Sequence, residues 1–540
     1  MGGSTINPPR SIERSLRKAT PLLRFFQSFG EIASTSGTVC AVASPPPPGL
    51  RVPDAASALT TPWIHFRTSM KATGVAASGL PSPKGKQKEV LALPGKGHTV
   101  VLGTAGSGKT TMAIHRAAIL ADPLTSNSGK VLLVTYNRTL VAYLNYWRPP
   151  ALANVTIENY HRFALGYLAS RGKMDSASIC DGKPQIDLIS QAVALVKDRL
   201  GDEAPALFER PLQFFVDEIK FLAHYGLDGE DYIQSDRFGR GAGFSRQLRP
   251  ALLEVRDEYI RLRTAVGKRY DWEDVASGVI EEFANDDSTP KYRHVVIDEG
   301  QDFSPQMLRS LAAAIPPDGS LTFFGDMAQQ IYGRQVSWKR AGLNVKAVWS
   351  FRRNYRNTPE IAALGLAIAA MPSYGEVPDM VEPDKFEPSG PPPSLVHCRS
   401  FAEQSRFVIE AAKEGAKTGS VGVLVRRHQD EARFGSAFKG GQHLHKYMDT
   451  WDPGPGISWG VAHAAKGYEF DTVILVGLSA DRWPEPEIVR AHGPEAAAAA
   501  DGPLLYVGVT RARRELIMTS VGEPTELLPE NNGLWKEQRP

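Results

Sequence analysis

The sequence predicts an α/β protein with two parallel-sheet domains and a helical insertion in the first of them. Three observations support this fold class. Residues 98–137 alternate strand, glycine-rich loop, helix and strand, the order typical of a parallel sheet. Residues 165–290 have helix-like spacing and many charges, after which an apolar strand returns. A Pro-rich stretch at 387–395 precedes strand candidates at 420–427 and 471–478, which indicate a second α/β unit.

The amino-acid composition allows several domains and argues against some classes of protein. The chain has 540 residues, 42% of them hydrophobic, and a net charge of +3, so nucleic-acid binding would depend on local basic patches. The three cysteines lie far apart without metal-ligand spacing, which favours a reducing compartment and argues against a zinc site. The longest apolar stretch within a motif-bearing region, 361–371, is too short to span a bilayer. We therefore expect no membrane role and a cytoplasmic location, nucleoid-associated in a prokaryote.

Residues 1–75 differ from the rest of the chain because they are rich in Ser, Ala, Thr and Pro. This composition buries too little apolar surface to offset chain entropy, so we predict a disordered extension. Its basic, acid-poor start is typical of an organelle transit peptide or an electrostatic tail, and a translation start at Met70 explains it equally well. The predicted domains that follow are a first α/β domain at 76–164 and 291–345, the helical insertion at 165–290, and a second α/β domain at 346–540.

The stretch "GTAGSGKT" at 103–110 fits the phosphate-binding loop pattern in full. Its glycines let backbone N–H groups converge on phosphates, and the helix that begins there adds its dipole. Lys109 is placed to reach the β and γ oxygens, and the Thr110 hydroxyl is placed to bind Mg²⁺. The strand before the loop and the helix after it supply the context that a chance match lacks. The predicted nucleotide-binding set is Gly103, Thr104, Ala105, Gly106, Ser107, Gly108, Lys109, Thr110 and Thr111.

The stretch "VVIDEGQDF" at 295–303 ends an apolar strand with two adjacent carboxylates. By itself it fits a surface turn equally well, because acids and glycine often mark the place where a strand meets water. A phosphate loop, however, needs a distant strand that ends in an acid to hold its metal ion. Asp298 is therefore predicted to bind Mg²⁺ together with Thr110, and Glu299 to activate the attacking water.

Several classes of NTPase share a phosphate loop and an acid pair, and the motifs that follow narrow the class. After "DEGQD" come "LTFFGDMAQQIYG", "NYRNTPEI", "GVAHAAKGYEFDTVIL" and "LLYVGVTRARREL". In this order they resemble the motifs of superfamily 1A helicases of the UvrD, Rep and PcrA type, from Gln87 to Leu516. The resemblance implies two RecA-like domains, ATP and Mg²⁺ as cofactors, and ATP-driven movement along single-stranded DNA.

The resemblance also assigns residues that hold the nucleotide. Gln87 matches the glutamine that reads adenine, Tyr355 matches the aromatic side chain that stacks on it, and Glu469 matches a ribose contact. The chain departs from the family at Thr111, where some relatives place an arginine that contacts adenine. This departure bears on the selectivity for the adenine base.

The catalytic residues that the resemblance implies come from both domains. Arg356 and Arg511 match arginines that the second domain delivers to the γ-phosphate, and Gln329 matches a residue that senses this phosphate from the first. A nucleotide clamped in this way makes closure of the cleft depend on the γ-phosphate. The full implied catalytic set is Lys109, Asp298, Glu299, Gln329, Arg356 and Arg511.

Members of the family contact single-stranded nucleic acid through aromatic faces and polar groups along several motifs. Carried over, these contacts fall on Tyr136, His161, Tyr332 and His463, each of which also fits a core aromatic residue or a capping histidine. Arg334 stands where the family usually has a tryptophan after "IYG", so one stacking platform is absent or is replaced by the guanidinium plane with the aid of Trp338.

The stretch between "NYR" and "AHAAKG" is too short to hold the large additional domain that UvrD-like enzymes carry there. Two hypotheses about the function therefore remain. The first is an ATP-dependent translocase on single-stranded or tailed DNA with 3′ to 5′ helicase activity. The second is a nucleic-acid-stimulated NTPase subunit that acts on DNA or RNA as a sensor, or as the partner of a nuclease, with little unwinding. A binding module with a decayed site is disfavoured because the catalytic set is intact.

Overall fold

The computed structural model divides the chain into two units, residues 1–58 and 59–540. The residues that it describes all belong to the second unit and are 82–136, 141, 152–175, 178–235, 244–326, 338–372, 390–445 and 454–540. The predicted extension at 1–75 and the predicted site residues Gln329, Tyr332 and Arg334 lie outside this part. Within it, no helix is long and apolar enough to cross a membrane.

The first sheet of the described residues has six parallel strands. These are β1 (Gly97–Gly103), β2 (Val131–Thr135), β3 (Val155–Asn159), β4 (His294–Asp298), β5 (Ser320–Gly325) and β6 (Val345–Phe351). Their order across the sheet is β3-β2-β4-β5-β1-β6, and every pairing is parallel. Because β6 pairs with β1, the predicted start of the second domain at residue 346 falls inside a strand of the first sheet.

Helices cover both faces of this sheet, and side chains of its inner strands are buried on either side. Val131 and Leu133 of β2 belong to one apolar cluster, and Leu132 and Val134 belong to the other, as the alternation along a strand requires. The helices of this half of the chain are α1 (Lys86–Leu91), α2 (Lys109–Ala121), α3 (Tyr160–Ser170), α4 (Gly182–Leu200), α5 (Leu212–Tyr225), α6 (Gly229–Gln234), α7 (Arg249–Ala265), α8 (Val275–Ala284) and α9 (Pro305–Ala313).

The helical insertion has an apolar core of its own. This core gathers buried side chains from α4, α5, α6 and α7, among them Ile189, Phe215, Leu252 and Tyr259. In contrast, α3 and α8 place Leu168 and Val279 in the cluster that covers the first sheet. The separately packed part is therefore narrower than the predicted range of 165–290.

The second sheet of the described residues has seven parallel strands. These are β7 (Ser394–Cys398), β8 (Ser420–Val425), β9 (Gln442–His443), β10 (Gly456–Val461), β11 (Phe470–Leu475), β12 (Ala512–Val521) and β13 (Lys536–Gln538). Their order is β13-β7-β12-β11-β8-β10-β9. The accompanying helices are α10 (Pro359–Ala369), α11 (Phe401–Gly415), α12 (His428–Gly435), α13 (Pro486–His492) and α14 (Pro494–Thr510). The predicted α/β class with two parallel sheets is confirmed.

Helix α5 of the insertion contacts both sheet domains. Arg309 of α9 in the first domain donates from Nη1 to the Tyr225 carbonyl at 3.3 Å. On the second domain, Nε2 of His492 in α13 lies 2.6 Å from Oδ2 of Asp217 in α5. The His492 ring also lies against the Phe214 ring, with centroids 5.7 Å apart. The insertion therefore joins the two domains at a place separate from the phosphate loop.

Candidate functional site

The phosphate-binding loop connects the end of β1 to the start of α2. Gly106 and Gly108 adopt φ angles of 74° and 83°, a left-handed backbone that favours glycine. The Lys109 ammonium group is buried and donates to the carbonyls of Gly103 at 2.9 Å and Thr104 at 2.7 Å. Two loop carbonyls therefore hold the side chain that the sequence analysis assigns to the phosphates.

The acid pair follows β4, and Gln301 fixes its shape. Glu299 adopts a left-handed φ of 53° and turns the chain sharply after Asp298. The Gln301 side chain donates to the Glu299 carboxylate at 2.5 Å and accepts from the Asp326 backbone N–H at 2.9 Å. A Cβ at Gly300 would lie 2.3 Å from the Phe323 ring, so the turn requires glycine there. The glutamine of "DEGQD" thus ties Glu299 to the end of β5.

Asp298 has the environment of a cation ligand. It is 2% exposed, and neither carboxylate oxygen accepts a hydrogen bond within normal geometry. Burial and the neighbouring charge of Glu299 raise its pKa, while the nearby Thr110 hydroxyl lowers it. A buried carboxylate without good partners is costly, and a divalent cation beside a hydroxyl ligand would remove that cost. Asp298 and Thr110 therefore fit Mg²⁺.

Glu299 differs from Asp298 because cations surround it. Burial by itself raises the pKa of Glu299, but the charges of Lys109, Lys466 and Arg511 act the other way and hold the pKa below its ordinary value. The carboxylate is therefore ionised at neutral pH and able to accept a proton. The two adjacent acids thus have different environments: Asp298 lacks a hydrogen-bond partner, whereas Glu299 is surrounded by cations.

The second domain brings a cluster of arginines to this place. Arg356 forms an ion pair with Glu469, and Arg513 donates to the same carboxylate at 3.1 and 2.9 Å. Burial opposes ionisation of Glu469, yet Arg356 and Arg513 lower its pKa to about 2. Arg511 is 2% exposed and donates to the Val507 carbonyl at 3.2 Å. Sequence reasoning missed Arg513, which lies two residues after Arg511 on β12.

The two domains meet directly at the phosphate loop. The Tyr355 backbone N–H donates to the Gly106 carbonyl at 3.0 Å. A Cβ at Gly106 would lie 2.4 Å from the Arg356 Cβ, which shows how closely the "NYR" segment approaches the loop. Nearby, Lys466 of the second domain forms a buried ion pair with Asp302. The structure therefore brings the described members of the predicted catalytic set together in a closed cleft between the two domains.

The residues assigned to the adenine base lie beside the loop. The Gln87 amide donates to the Ser107 carbonyl at 3.2 Å and accepts from the Lys84 backbone N–H at 2.9 Å. The Tyr355 ring is half-buried, with the Arg353 guanidinium group 5.1 Å from its centroid. Thr111, by contrast, is 5% exposed. Gln87 therefore contacts the phosphate loop, whereas Thr111 is buried.

Aromatic side chains cluster where β2 ends and α3 begins. The rings of Tyr136 and His161 lie 6.0 Å apart, and the Trp272 ring lies 5.0 Å from His161. Tyr136 is 36% exposed, and Trp272 is half-buried with its Nε1 donating to Asp181 at 3.1 Å. Sequence reasoning missed Trp272, since "YDWEDV" lies far from the other motifs and carries no spacing signal.

His463 lies apart from this cluster, on the second domain. It belongs to a short 3₁₀ segment, Ala462–Ala465, that follows β10. Burial and the charges of Arg426 and Lys466 lower its pKa to about 3, so the imidazole is neutral at physiological pH. Trp338, which precedes β6, packs its ring 5.0 Å from Phe323 in the first domain. The structure therefore places the described nucleic-acid candidates on both domains.

Comparison with protein families identifies the class. The model of the UvrD/REP helicase N-terminal domain matches residues 84–345, and that of the UvrD-like helicase C-terminal domain matches residues 459–523. The chain belongs to the UvrD-type superfamily 1 helicases. The predicted family resemblance and the two RecA-like domains are thereby confirmed, and this UvrD-type helicase falls among the ATP-dependent DNA helicases.

Individual relatives are distant, and two of them extend over most of the chain. A Mycoplasma pneumoniae protein described as a "Probable DNA helicase" is 22% identical over 465 residues, 79% of this chain and 81% of that protein. The ATP-dependent DNA helicase UvrD2 of Mycobacterium tuberculosis is 23% identical over 555 aligned positions, 80% of this chain and 78% of that protein. The ATP-dependent DNA helicase PcrA of Leuconostoc citreum is 36% identical over 84 residues, which are 15% of this chain and 11% of that protein.

The close approach at Gly106 leads to a first prediction. Replacing Gly106 with Ala in this UvrD-type helicase places a Cβ 2.5 Å from Oδ1 of Asn354, so the "NYR" segment must move. Displacement of catalytic groups by about 1 Å can lower a rate by about 100-fold, and we expect a loss of that order in ATPase activity.

The matched control for this prediction is Gly97→Ala. Gly97 has a similar φ of 80°, but a Cβ there meets nothing within 4 Å. Both variants therefore strain the backbone, and Gly106→Ala alone creates the clash. Phosphate-release assays on the two variants decide the matter, because equal losses would assign the effect to backbone strain.

Proposed function

We propose that this UvrD-type helicase is an ATP-driven translocase on single-stranded DNA that unwinds tailed duplexes in the 3′ to 5′ direction. The observation that carries the proposal is the closed cleft. The positive charge of Arg356 in the second domain lowers the pKa of Lys109, and the positive charge of Arg511 lowers the pKa of Glu299. Hydrolysis that needs both domains is suited to coupling with motion between them. Relatives named as DNA helicases support DNA as the substrate, and the polarity rests on the family resemblance alone.

The chemistry assigned to the cleft uses groups already in place. Lys109 exchanges its carbonyl partners for the β and γ oxygens of ATP. Thr110 and Asp298 would hold Mg²⁺, which would supply positive charge to neutralise the phosphates. Glu299 accepts the proton of the water that attacks the γ-phosphorus, and the arginines of the second domain neutralise the charge that develops.

The proposed path of the strand crosses both domains. Tyr136, His161 and Trp272 on the first domain offer faces on which bases can stack. The neutral His463 on the second domain offers a hydrogen-bonding group. Because contacts on two domains change when the cleft opens and closes, DNA occupancy and hydrolysis would influence each other.

A combined assay tests the proposal. ATPase activity is measured with and without oligo-dT, and strand displacement is measured on duplexes with 3′ or 5′ single-stranded tails. We expect stimulation by oligo-dT that falls steeply with salt, because phosphate contacts release counterions, and displacement of the 3′-tailed duplex. An ATPase that ignores DNA at low salt would contradict the translocase. Displacement of the 5′-tailed duplex alone would contradict the polarity.

A second candidate function rests on the short stretch between "NYR" and "AHAAKG". A helicase without a large additional domain has fewer surfaces to engage a duplex. Strong stimulation by single-stranded DNA without displacement of either duplex would therefore favour an NTPase subunit that serves a partner such as a nuclease. Parallel assays with single-stranded RNA distinguish the two kinds of nucleic acid.

Trp272 provides a second prediction. Its half-buried ring packs edge-to-face against His161, and loss of one base–aromatic contact costs about 1 to 3 kcal/mol. Trp272→Ala should therefore raise the oligo-dT concentration for half-maximal ATPase stimulation by about tenfold or more.

Trp459→Ala is the matched control for Trp272→Ala. Trp459 also pairs with a histidine, His443, with ring centroids 5.5 Å apart, but on β10 of the second sheet. An equal shift in both variants would show that the loss of any such aromatic pair produces the effect. An unchanged half-maximal concentration in Trp272→Ala would remove Trp272 from the strand path.

A further inference from the structure

The helix that carries Gln87 is too short to be stable without contacts to the rest of the protein. α1 is only six residues long, and its N-cap residue, Gly85, offers no side-chain hydrogen bond. Helices of this length are unstable in isolation because nucleation costs more than so few hydrogen bonds return. Yet the Gln87 amide must meet the phosphate loop at a defined place, where it donates to the Ser107 carbonyl at 3.2 Å. Contacts outside α1 therefore determine where Gln87 lies.

Arg116 of α2 supplies such contacts at the other end of α1. Its guanidinium group donates to three carbonyls in succession: Leu91 at 3.1 Å, Leu93 at 2.7 Å and Pro94 at 2.9 Å. The first of these carbonyls belongs to the last residue of α1, and the other two belong to the turn that follows it. The helix dipole favours a positive charge at this end of a helix. Apolar packing of Val90 against α2 adds a further contact.

Arg116 is a buried cation whose hydrogen-bond acceptors are backbone carbonyls. It is 1% exposed, and no carboxylate in the part of the chain that the structure describes forms an ion pair with it. Burying a charge without an acid is costly unless hydrogen bonds offset the lost hydration, so the three carbonyls, which satisfy Nη1 and Nη2 but leave Nε without a partner, are the groups that keep the guanidinium in place. A planar fork with several donors suits this arrangement better than an ammonium group does.

We propose that Arg116 is the positioning residue for adenine recognition, because it fixes the segment that bears Gln87 against the helix that bears Lys109. The inference rests on the proposed ATP hydrolysis and on the adenine-reading role that the family resemblance implies for Gln87. Lys109 begins α2, and Arg116 lies about two turns further along the same helix. One rigid helix therefore sets the phosphate contact at its start and the base contact through Arg116. The position of α2 therefore determines both the base contact and the phosphate contact.

The test uses the steady-state kinetics of the full chain with ATP and GTP. Losing the fixed position of one hydrogen-bonding amide should raise the KM for ATP about tenfold in Arg116→Met. The ratio of kcat/KM for ATP to that for GTP should fall by a similar factor, as in Gln87→Ala. At saturating ATP, kcat should stay within about twofold, since the catalytic groups are untouched. Arg116→Lys should fall between wild type and Arg116→Met.

A double-mutant cycle separates positioning from general stability. If Arg116 acts through Gln87, Arg116→Met should raise the KM no further in a Gln87→Ala background. Equal fold-changes in both backgrounds would overturn the proposal. If Gln87→Ala leaves the KM for ATP unchanged, the base contact itself is wrong and the proposal falls with it, while DNA-stimulated hydrolysis tests the translocase separately. If Arg116→Met does not fold, Arg116→Lys is used in the same cycle.

Arg249 offers a matched control in the helical insertion. It is 5% exposed and donates to three carbonyls at the end of α6: Tyr232 at 2.7 Å, Ile233 at 2.8 Å and Ser235 at 2.7 Å. Arg249→Met should lower thermal stability as Arg116→Met does, yet leave the KM for ATP unchanged. A comparable rise in KM in Arg249→Met would overturn the proposal, because it would show that loss of any buried arginine of this kind has the same effect.

Discussion

Glu299→Gln is expected to lower the ATPase rate at least about 100-fold while ATP still binds. The ionised carboxylate of Glu299 is the proposed acceptor for the proton of the attacking water, and an amide cannot take that proton. The amide oxygen can still accept the hydrogen bond from Gln301, so the turn after β4 should keep its shape. Asp298 and Thr110 remain available for Mg²⁺.

Lys109→Ala should differ from Glu299→Gln in the binding assay. Removing the ammonium group removes a charge that meets the phosphates both before and during the reaction, so affinity and rate should both fall. Binding of a fluorescent ATP analogue and phosphate release measure the two effects.

Glu414→Gln, at an exposed ion pair on α11, is the control for loss of an acid in Glu299→Gln. Wild-type turnover in Glu299→Gln would contradict the assignment of the base.

Arg511→Ala is expected to abolish the DNA-stimulated ATPase rate and to leave nucleotide binding largely intact. The Arg511 guanidinium lies in the second domain, where burial and the charge of Arg356 lower its pKa to about 10. Across the cleft, its positive charge lowers the pKa of Glu299 in the first domain. An arginine that reaches the γ-phosphate from a second domain contributes about 10³-fold or more to such rates.

Arg514→Ala is the matched control for Arg511→Ala, since Arg514 lies close by along the chain, on β12, and is exposed. Stimulated hydrolysis by each variant is measured at saturating oligo-dT and ATP. If Arg511→Ala keeps the stimulated rate, hydrolysis does not need the second domain, and an NTPase regulated by a partner becomes the better account.

The sequence predicted the parts of the site that are local along the chain. The phosphate loop is contiguous, and its strand and helix flank it directly, so Gly103 to Thr111 could be recognised from spacing. The family and the two-sheet fold followed from the order of several such motifs, and the comparisons confirm them. The individual roles of the site residues remain predictions.

Contacts between distant segments could not be predicted in the same way. Gln301 links Glu299 to Asp326, and that link depends on β4 and β5 being neighbours in the sheet. Trp272 reaches His161 only because the end of the insertion returns to the start of α3. The placement of β6 likewise depends on its pairing with β1, which no local pattern shows. Each of these features follows from tertiary packing.

The contact of α5 with both domains would make the insertion a participant in nucleotide affinity if opening of the cleft separates α13 from α5. Any opening that carries α13 away from α5 must separate His492 from Asp217 and expose the Phe214 ring, which is 1% exposed here. The free energy of that separation is added to the free energy of opening the cleft. Consider a ligand that binds α5 only after α13 has moved away. By reciprocity, this ligand must weaken nucleotide binding to the closed cleft by the same factor by which the nucleotide weakens binding of the ligand. In such an opening, the surface of the insertion would be thermodynamically linked to a nucleotide bound at the phosphate loop.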